Sequence, residues 1–213
     1  GHDALTANTT GANNVAVGHS ALQQNTTASN NTALGASALL ANTTGTQNVA
    51  VGRSALDANT TGDYNTAIGQ SSLGANTTAS NNTAVGKDSL LLNTTGANNV
   101  AVGYQALDAS TTGAQNVAVG AGGALGACTT GTYNIGIGYA TLSTLTTAIK
   151  NVAIGADALT LNETGGLNTA VGHAALSANL AANNVAVGYQ AATANTTGTR
   201  NTAIGFHAYK ASD

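Results

Sequence analysis

Three of the four histidines, His2, His19 and His173, each follow a glycine, and the first two lie 17 residues apart. Imidazoles at a fixed interval are what a repetitive fold would offer a metal ion. Two ligands alone make a weak site, however. These histidines are therefore expected at the surface, with no metal and no cofactor. Acid–base chemistry is no better served. Glu163 is the sole glutamate, and Asp3, Asp57, Asp63, Asp88, Asp108, Asp157 and Asp213 are scattered over variable positions. Catalysis needs such groups to converge, so an enzyme is not expected. Cys128 is the single cysteine, which excludes an intramolecular disulfide. It stands where neighbouring stretches carry Asn, as a tolerated small residue. N-T-T matches the glycosylation sequon at Asn8, Asn25, Asn42, Asn59, Asn76, Asn93 and Asn195. A match that returns so regularly is better explained by a recurring turn.

All these intervals share one period. Asn14, Asn31, Asn48, Asn65, Asn82, Asn99, Asn116, Asn134, Asn151, Asn168, Asn184 and Asn201 open units spaced 17 residues apart, with one step of 18 and one of 16. Counted from that Asn as slot 1, the unit reads N-[VT]-A-[VIL]-G-x-x-A-L-x-A-N-T-T-G-x-x. Slot 5 is glycine in every unit, from Gly18 to Gly205, and Gly1 fits the same slot of an incomplete leading unit. The chain is thus one array over residues 1–213, opening and closing within repeats, and is expected to be a segment of something longer.

Composition narrows the class. Charged residues make up 6% and the net charge is −3, against about 25% charged in an ordinary domain. No basic footprint exists for nucleic acid, and no apolar run is long enough for membrane insertion. Hydrophobic residues reach 42%, which is not the composition of a disordered chain.

The N-V-A-V-G segment alternates β-branched residues with Ala and suits a short strand. Glycine and N-T-T-G mark corners. A second short strand is expected around A-L-x-A. The expectation is an all-β parallel β-solenoid (a β-roll) of about thirteen coils, since an α-solenoid needs about 34 residues per repeat. Coils about 4.8 Å apart would place each side chain on its own copy, so the opening Asn should form a ladder. Leu at slot 9, from Leu22 to Leu176, should fill the core and face the slot 4 row, Val17, Leu34, Val51 and Ile68 onwards. The Ala row opposite would then lie outward. A strand apolar on both faces is usually covered on both, which points to self-association.

The repeated N-[VT]-A-[VI]-G string resembles the head repeats of trimeric autotransporter adhesins, whose unit is shorter and lacks the N-T-T-G insert. With "NTAVG..AL.ANTTG" it is also similar to repeats of phage tail fibres. The resemblance implies a left-handed, homotrimeric β-roll serving as a structural fibre or adhesin. Such a fibre is extracellular, on a cell surface or on a virion. It would provide a rigid rod and attach to a cell-surface receptor or glycan.

A rival reading takes the threonines at slots 13 and 14, including Thr43, Thr44, Thr60, Thr61, Thr77, Thr78, Thr94 and Thr95, as an ice-binding face. Ice-binding solenoids generally use T-x-T, whereas these threonines are adjacent and end in Gly, which suits a turn. A recognition site, if one exists, is expected on the irregular coils between Gly120 and Asn184, at Tyr133, Tyr139, Leu145, Ile149 and Leu167. There large apolar residues replace polar ones, along with Leu161 and Leu180. They either mark a contact patch or fill space left by the two register slips.

Overall fold

The computed structural model describes residues 1–209. Each coil contributes one three-residue strand, β1 (Val15–Val17), β2 (Thr32–Leu34), β3 (Val49–Val51), β4 (Thr66–Ile68), β5 (Thr83–Val85), β6 (Val100–Val102), β7 (Val117–Val119), β8 (Ile135–Ile137), β9 (Val152–Ile154), β10 (Thr169–Val171), β11 (Val185–Val187) and β12 (Thr202–Ile204). They form one parallel sheet in chain order. Its eleven pairings correspond to about 11 complete turns rather than thirteen, a rod about 53 Å long at 4.8 Å per coil.

Register is slot on slot: Val49 faces Thr66, Ala50 faces Ala67, and Val51 faces Ile68. The slips do not disturb it. Val117 still meets Ile135, and Thr169 still meets Val185. The extra residue is taken up at Gly122 and Gly123, both at φ +72°. The missing one is the exposed slot 14 position between Leu180 and Ala181.

No second strand forms around A-L-x-A. Slots 7 and 9 lie in the left-handed region, as at Ser54 (φ 54°) and Leu56 (φ 54°), so the chain folds back instead of extending. A leucine there is strained. Two things offset the strain: full burial of Leu56, and a bond from its amide to Ser72 O in the next coil, 3.0 Å.

The strand faces the opposite way from the expected one. Slot 3 Ala is fully buried, as at Ala33, Ala50 and Ala67, while Leu34 and Ile68 in slot 4 are 46% and 39% exposed. Slot 9 Leu does fill the core, but it packs against the Ala row. The reason is volume. One coil must enclose the slot 9 Leu, the slot 8 Ala and two buried asparagines, which leaves room for only a methyl on the strand. Coil β8 makes the limit visible. There Thr141 replaces the slot 8 Ala and Gly136 replaces the slot 3 Ala. A Cβ at Gly136 would come within 3.0 Å of Thr141 Oγ1 and 3.3 Å of Leu125 Cγ.

Two asparagine ladders run the length of the rod. In slot 1, Asn65 N donates to Asn48 Oδ1 (2.9 Å) and Asn48 Nδ2 donates to Gly62 O (2.8 Å), a pattern repeated from Asn14 to Asn201. In slot 12, Asn59 Nδ2 donates to Asn42 Oδ1 (2.8 Å) and to Gly62 O (3.0 Å). Stacked amides of this kind satisfy buried turns that no backbone ladder reaches. The slot 12 ladder is interrupted by Ser110, Cys128 and Leu145. Asn93 Oδ1 and Ser110 Oγ, at the first break, are buried without a hydrogen-bond partner, and so is Asn162 Oδ1, whose neighbour Asn179 donates to Ala181 O in the shortened coil instead.

Candidate functional site

With Ala turned inward, slots 2 and 4 point out of the same sheet face. Slot 2 is Val or Ile in seven strands and Thr in the other five, Thr32, Thr66, Thr83, Thr169 and Thr202. Slot 4 is Val, Ile or Leu in all twelve strands. Their side chains are half-buried or exposed along the whole rod, Val17 at 53% being the barest of the first six coils. The outcome is a flat apolar stripe, two side chains wide and repeating coil by coil. It covers about 53 by 10 Å, on the order of 500 Å². That is at the upper end of what a soluble monomer leaves bare.

Two flanks border the stripe. On one side the slot 6 side chains form their own exposed row. His2 and His19 stack with ring centres 5.6 Å apart and planes 7° from parallel. His173, Tyr189 and Phe206 continue the motif at 5.3 and 5.4 Å, and Lys87 Nζ sits 5.4 Å from the centre of the Tyr104 ring. On the other side, slots 16 and 17 form a polar corner in which side chains cap the preceding coil. Asp63 Oδ1 accepts from Thr46 N (2.6 Å) and Thr46 Oγ1 (3.0 Å), so it does more than carry a solvated charge. Asp57 and Asp108 sit half-buried in slot 10, and burial pushes both carboxyls up from 3.8. Asp213 lies outside the described residues.

The five residues expected to form a recognition patch do not come together. Tyr133 and Leu167 share slot 17, with Lys150 between them in the row, and Ile149 is beside them in slot 16. All three are exposed. Leu167 N donates to Ile149 O (3.1 Å), which ties two of them across adjacent coils. Tyr139, 62% exposed, stands in slot 6 on the far side of the stripe, its ring over Gly122. Leu145 is a correction: it is fully buried, filling the slot 12 position of the broken ladder, and no partner can touch it. A sequence view placed it in a turn and could not see that this turn position points inward. Leu161 and Leu180 are exposed on the coil's other turn positions.

The threonines separate by slot. Thr43, Thr60, Thr77 and Thr94 are partly buried and donate their hydroxyls to the carbonyl of the next threonine, at 3.1, 3.0, 3.3 and 3.0 Å. They tie coil to coil. Thr44, Thr61, Thr78 and Thr95 are exposed as a single row. The sequon asparagines Asn25, Asn42, Asn59, Asn76 and Asn93 are fully buried. Cys128 is also buried, and desolvation raises its thiol to about 11, opposed by a smaller lowering from a backbone hydrogen bond at Gly131. Sequence reasoning missed the outward stripe itself. Its signal was present in the strict apolarity of slot 4, but slot 3 is equally apolar.

Comparison with protein-family models, with curated proteins and with solved structures finds no match.

Proposed function

We propose that the chain is a stiff structural rod of a surface fibre, self-associated side by side through the slot 2 and slot 4 stripe. The observation that carries this is the continuity of the stripe over all twelve strands. An apolar face of this length is costly to leave in water at about 25 cal/mol per Å². A partner that covers it end to end must match a step of about 4.8 Å along the whole rod. Another copy of the same solenoid meets that demand automatically; an unrelated surface does not. Closed rotational symmetry keeps such contacts from propagating into open assemblies. Three copies about one axis agree with the family resemblance in the repeated N-[VT]-A-[VI]-G string, which also motivates placing the fibre on a cell or virion surface.

Ladders of identical residues give stiffness and length but little discrimination, so any receptor or glycan recognition falls to the irregular corner at Tyr133, Ile149 and Leu167. Ice binding by slots 13 and 14 is the weaker reading, because one threonine of each pair already gives its hydroxyl to the backbone. The role requires no catalysis.

Size exclusion with light scattering tests the proposal. The expected mass is three times 20.6 kDa, falling to one chain in the Ile68→Asp/Val102→Asp double variant. A wild-type monomer at tens of micromolar overturns it.

A further inference from the structure

The slot 6 flank gathers donors that sequence counting left one short. In the first two coils His2 and His19 occupy slot 6, and Asp3 follows in slot 7. Asp3 has φ 58°, and this left-handed turn swings its carboxylate back beside the histidine row, with Oδ2 2.8 Å from His2 Nδ1. Backbone register then fixes the second imidazole. Ser20 N donates to His2 O at 2.9 Å, so coil two cannot slide relative to coil one. A ring nitrogen of each histidine and a carboxylate oxygen of Asp3 lie within 4.8 Å of one another.

We infer that His2, Asp3 and His19 form a site for a divalent late transition ion, of which Zn²⁺ is the natural occupant. Tetrahedral ligation at about 2.0–2.1 Å brings donor atoms to about 3.3 Å of each other. Both imidazoles are exposed and so free to rotate toward that spacing, His19 exchanging its 3.1 Å contact from Nδ1 to Ser20 Oγ if that nitrogen is the one used. Two imidazoles and one carboxylate suit zinc, nickel or copper, and give poor ligands for magnesium or calcium. Three protein ligands leave a position open to water or to a donor from another surface. The ion bridges two coils, so it also acts as a clip between them. Among the described residues no other coil repeats this set. His173 has Asp157 at 3.9 Å but a tyrosine, Tyr189, in the next slot 6 position.

The test is calorimetric titration of the intact chain with ZnCl₂, beside His19→Gln, Asp3→Asn and His173→Gln. Glutamine already occupies slot 6 at Gln70, and asparagine tolerates positive φ at Asn30 and Asn81, so the folds are preserved. The expected result is one ion per chain, with affinity reduced at least tenfold in His19→Gln and in Asp3→Asn and unchanged in His173→Gln. Zinc should also slow hydrogen exchange of the Ser20 amide in the wild type and not in His19→Gln. No binding overturns the inference. Binding that survives His19→Gln also overturns it, since the ion would then sit at another place.

Discussion

Replacing Asn59 by alanine probes the interior amide ladder where it is most regular. Asn59 makes three side-chain bonds: Nδ2 to Asn42 Oδ1 (2.8 Å), Nδ2 to Gly62 O (3.0 Å), and Oδ1 from Asn76 Nδ2 (2.8 Å). The substitution removes all three, with unequal consequences. Gly62 O keeps Asn48 Nδ2 at 2.8 Å, and Asn76 Nδ2 keeps Ala79 O at 3.1 Å. Asn42 Oδ1 has no other partner and is stranded in the interior. An orphaned buried acceptor costs about 1–3 kcal/mol, and each of the other lost bonds about 0.5–1.5 kcal/mol. The expected destabilisation is thus about 2–6 kcal/mol, a large share of the roughly 5–15 kcal/mol that holds a typical domain. Ser110→Asn is the mirror experiment. It supplies a donor to the unpartnered Asn93 Oδ1 and removes the unpartnered Ser110 Oγ. The new Oδ1 then faces Cys128, so the gain is limited to about 1 kcal/mol. Urea unfolding followed by circular dichroism, at one protein concentration because association shifts the midpoint, reads both. Thr61→Ala, on the exposed slot 14 row, is the control and should stay within about 0.5 kcal/mol. The ladder reasoning fails if Asn59→Ala unfolds within that same margin, or if the control costs as much.

Gly69→Ala should destabilise by at least about 3 kcal/mol or prevent folding, because φ is +132° and a Cβ would lie 2.5 Å from Gly86 O in the next coil; urea unfolding reads it. Cys128, buried with its thiol near 11, should react with iodoacetamide at pH 8 on the order of a hundredfold more slowly than an unfolded control. Asp57 and Asp108 carry carboxyls raised above 3.8 by burial. The folded chain therefore holds those protons to higher pH than the unfolded chain. Their contribution favours folding below 3.8 and is lost as pH rises through the raised folded values. Asp57→Asn with Asp108→Asn should accordingly gain stability over the wild type at pH 7 relative to pH 3.5, and an equal difference at both pH values contradicts this.

The sequence by itself determined the period, the solenoid and the leucine core. Stacking places every residue on its own copy one coil away, so a fold-wide rule is written locally at slots 1, 5 and 9. It also determined that the opening asparagines form a ladder, because an amide can pair with its twin at the coil spacing. Which face of the strand is core was not legible. Ala in slot 3 and Val, Leu or Ile in slots 2 and 4 are apolar on both parities, and alternation alone assigns no inside. Only the enclosed volume decided it, as the exchange of Thr141 for Gly136 in one coil displays. The left-handed conformation of Leu56 and its equivalents could not be read either, since propensity argues against it and burial with cross-coil bonding overrides the propensity. The same holds for Leu145, whose place in the chain suggests a surface turn. The tertiary structure puts it in the interior, in line with Asn93, Ser110 and Cys128, because the slot 12 side chain points inward at the corner where the coil closes.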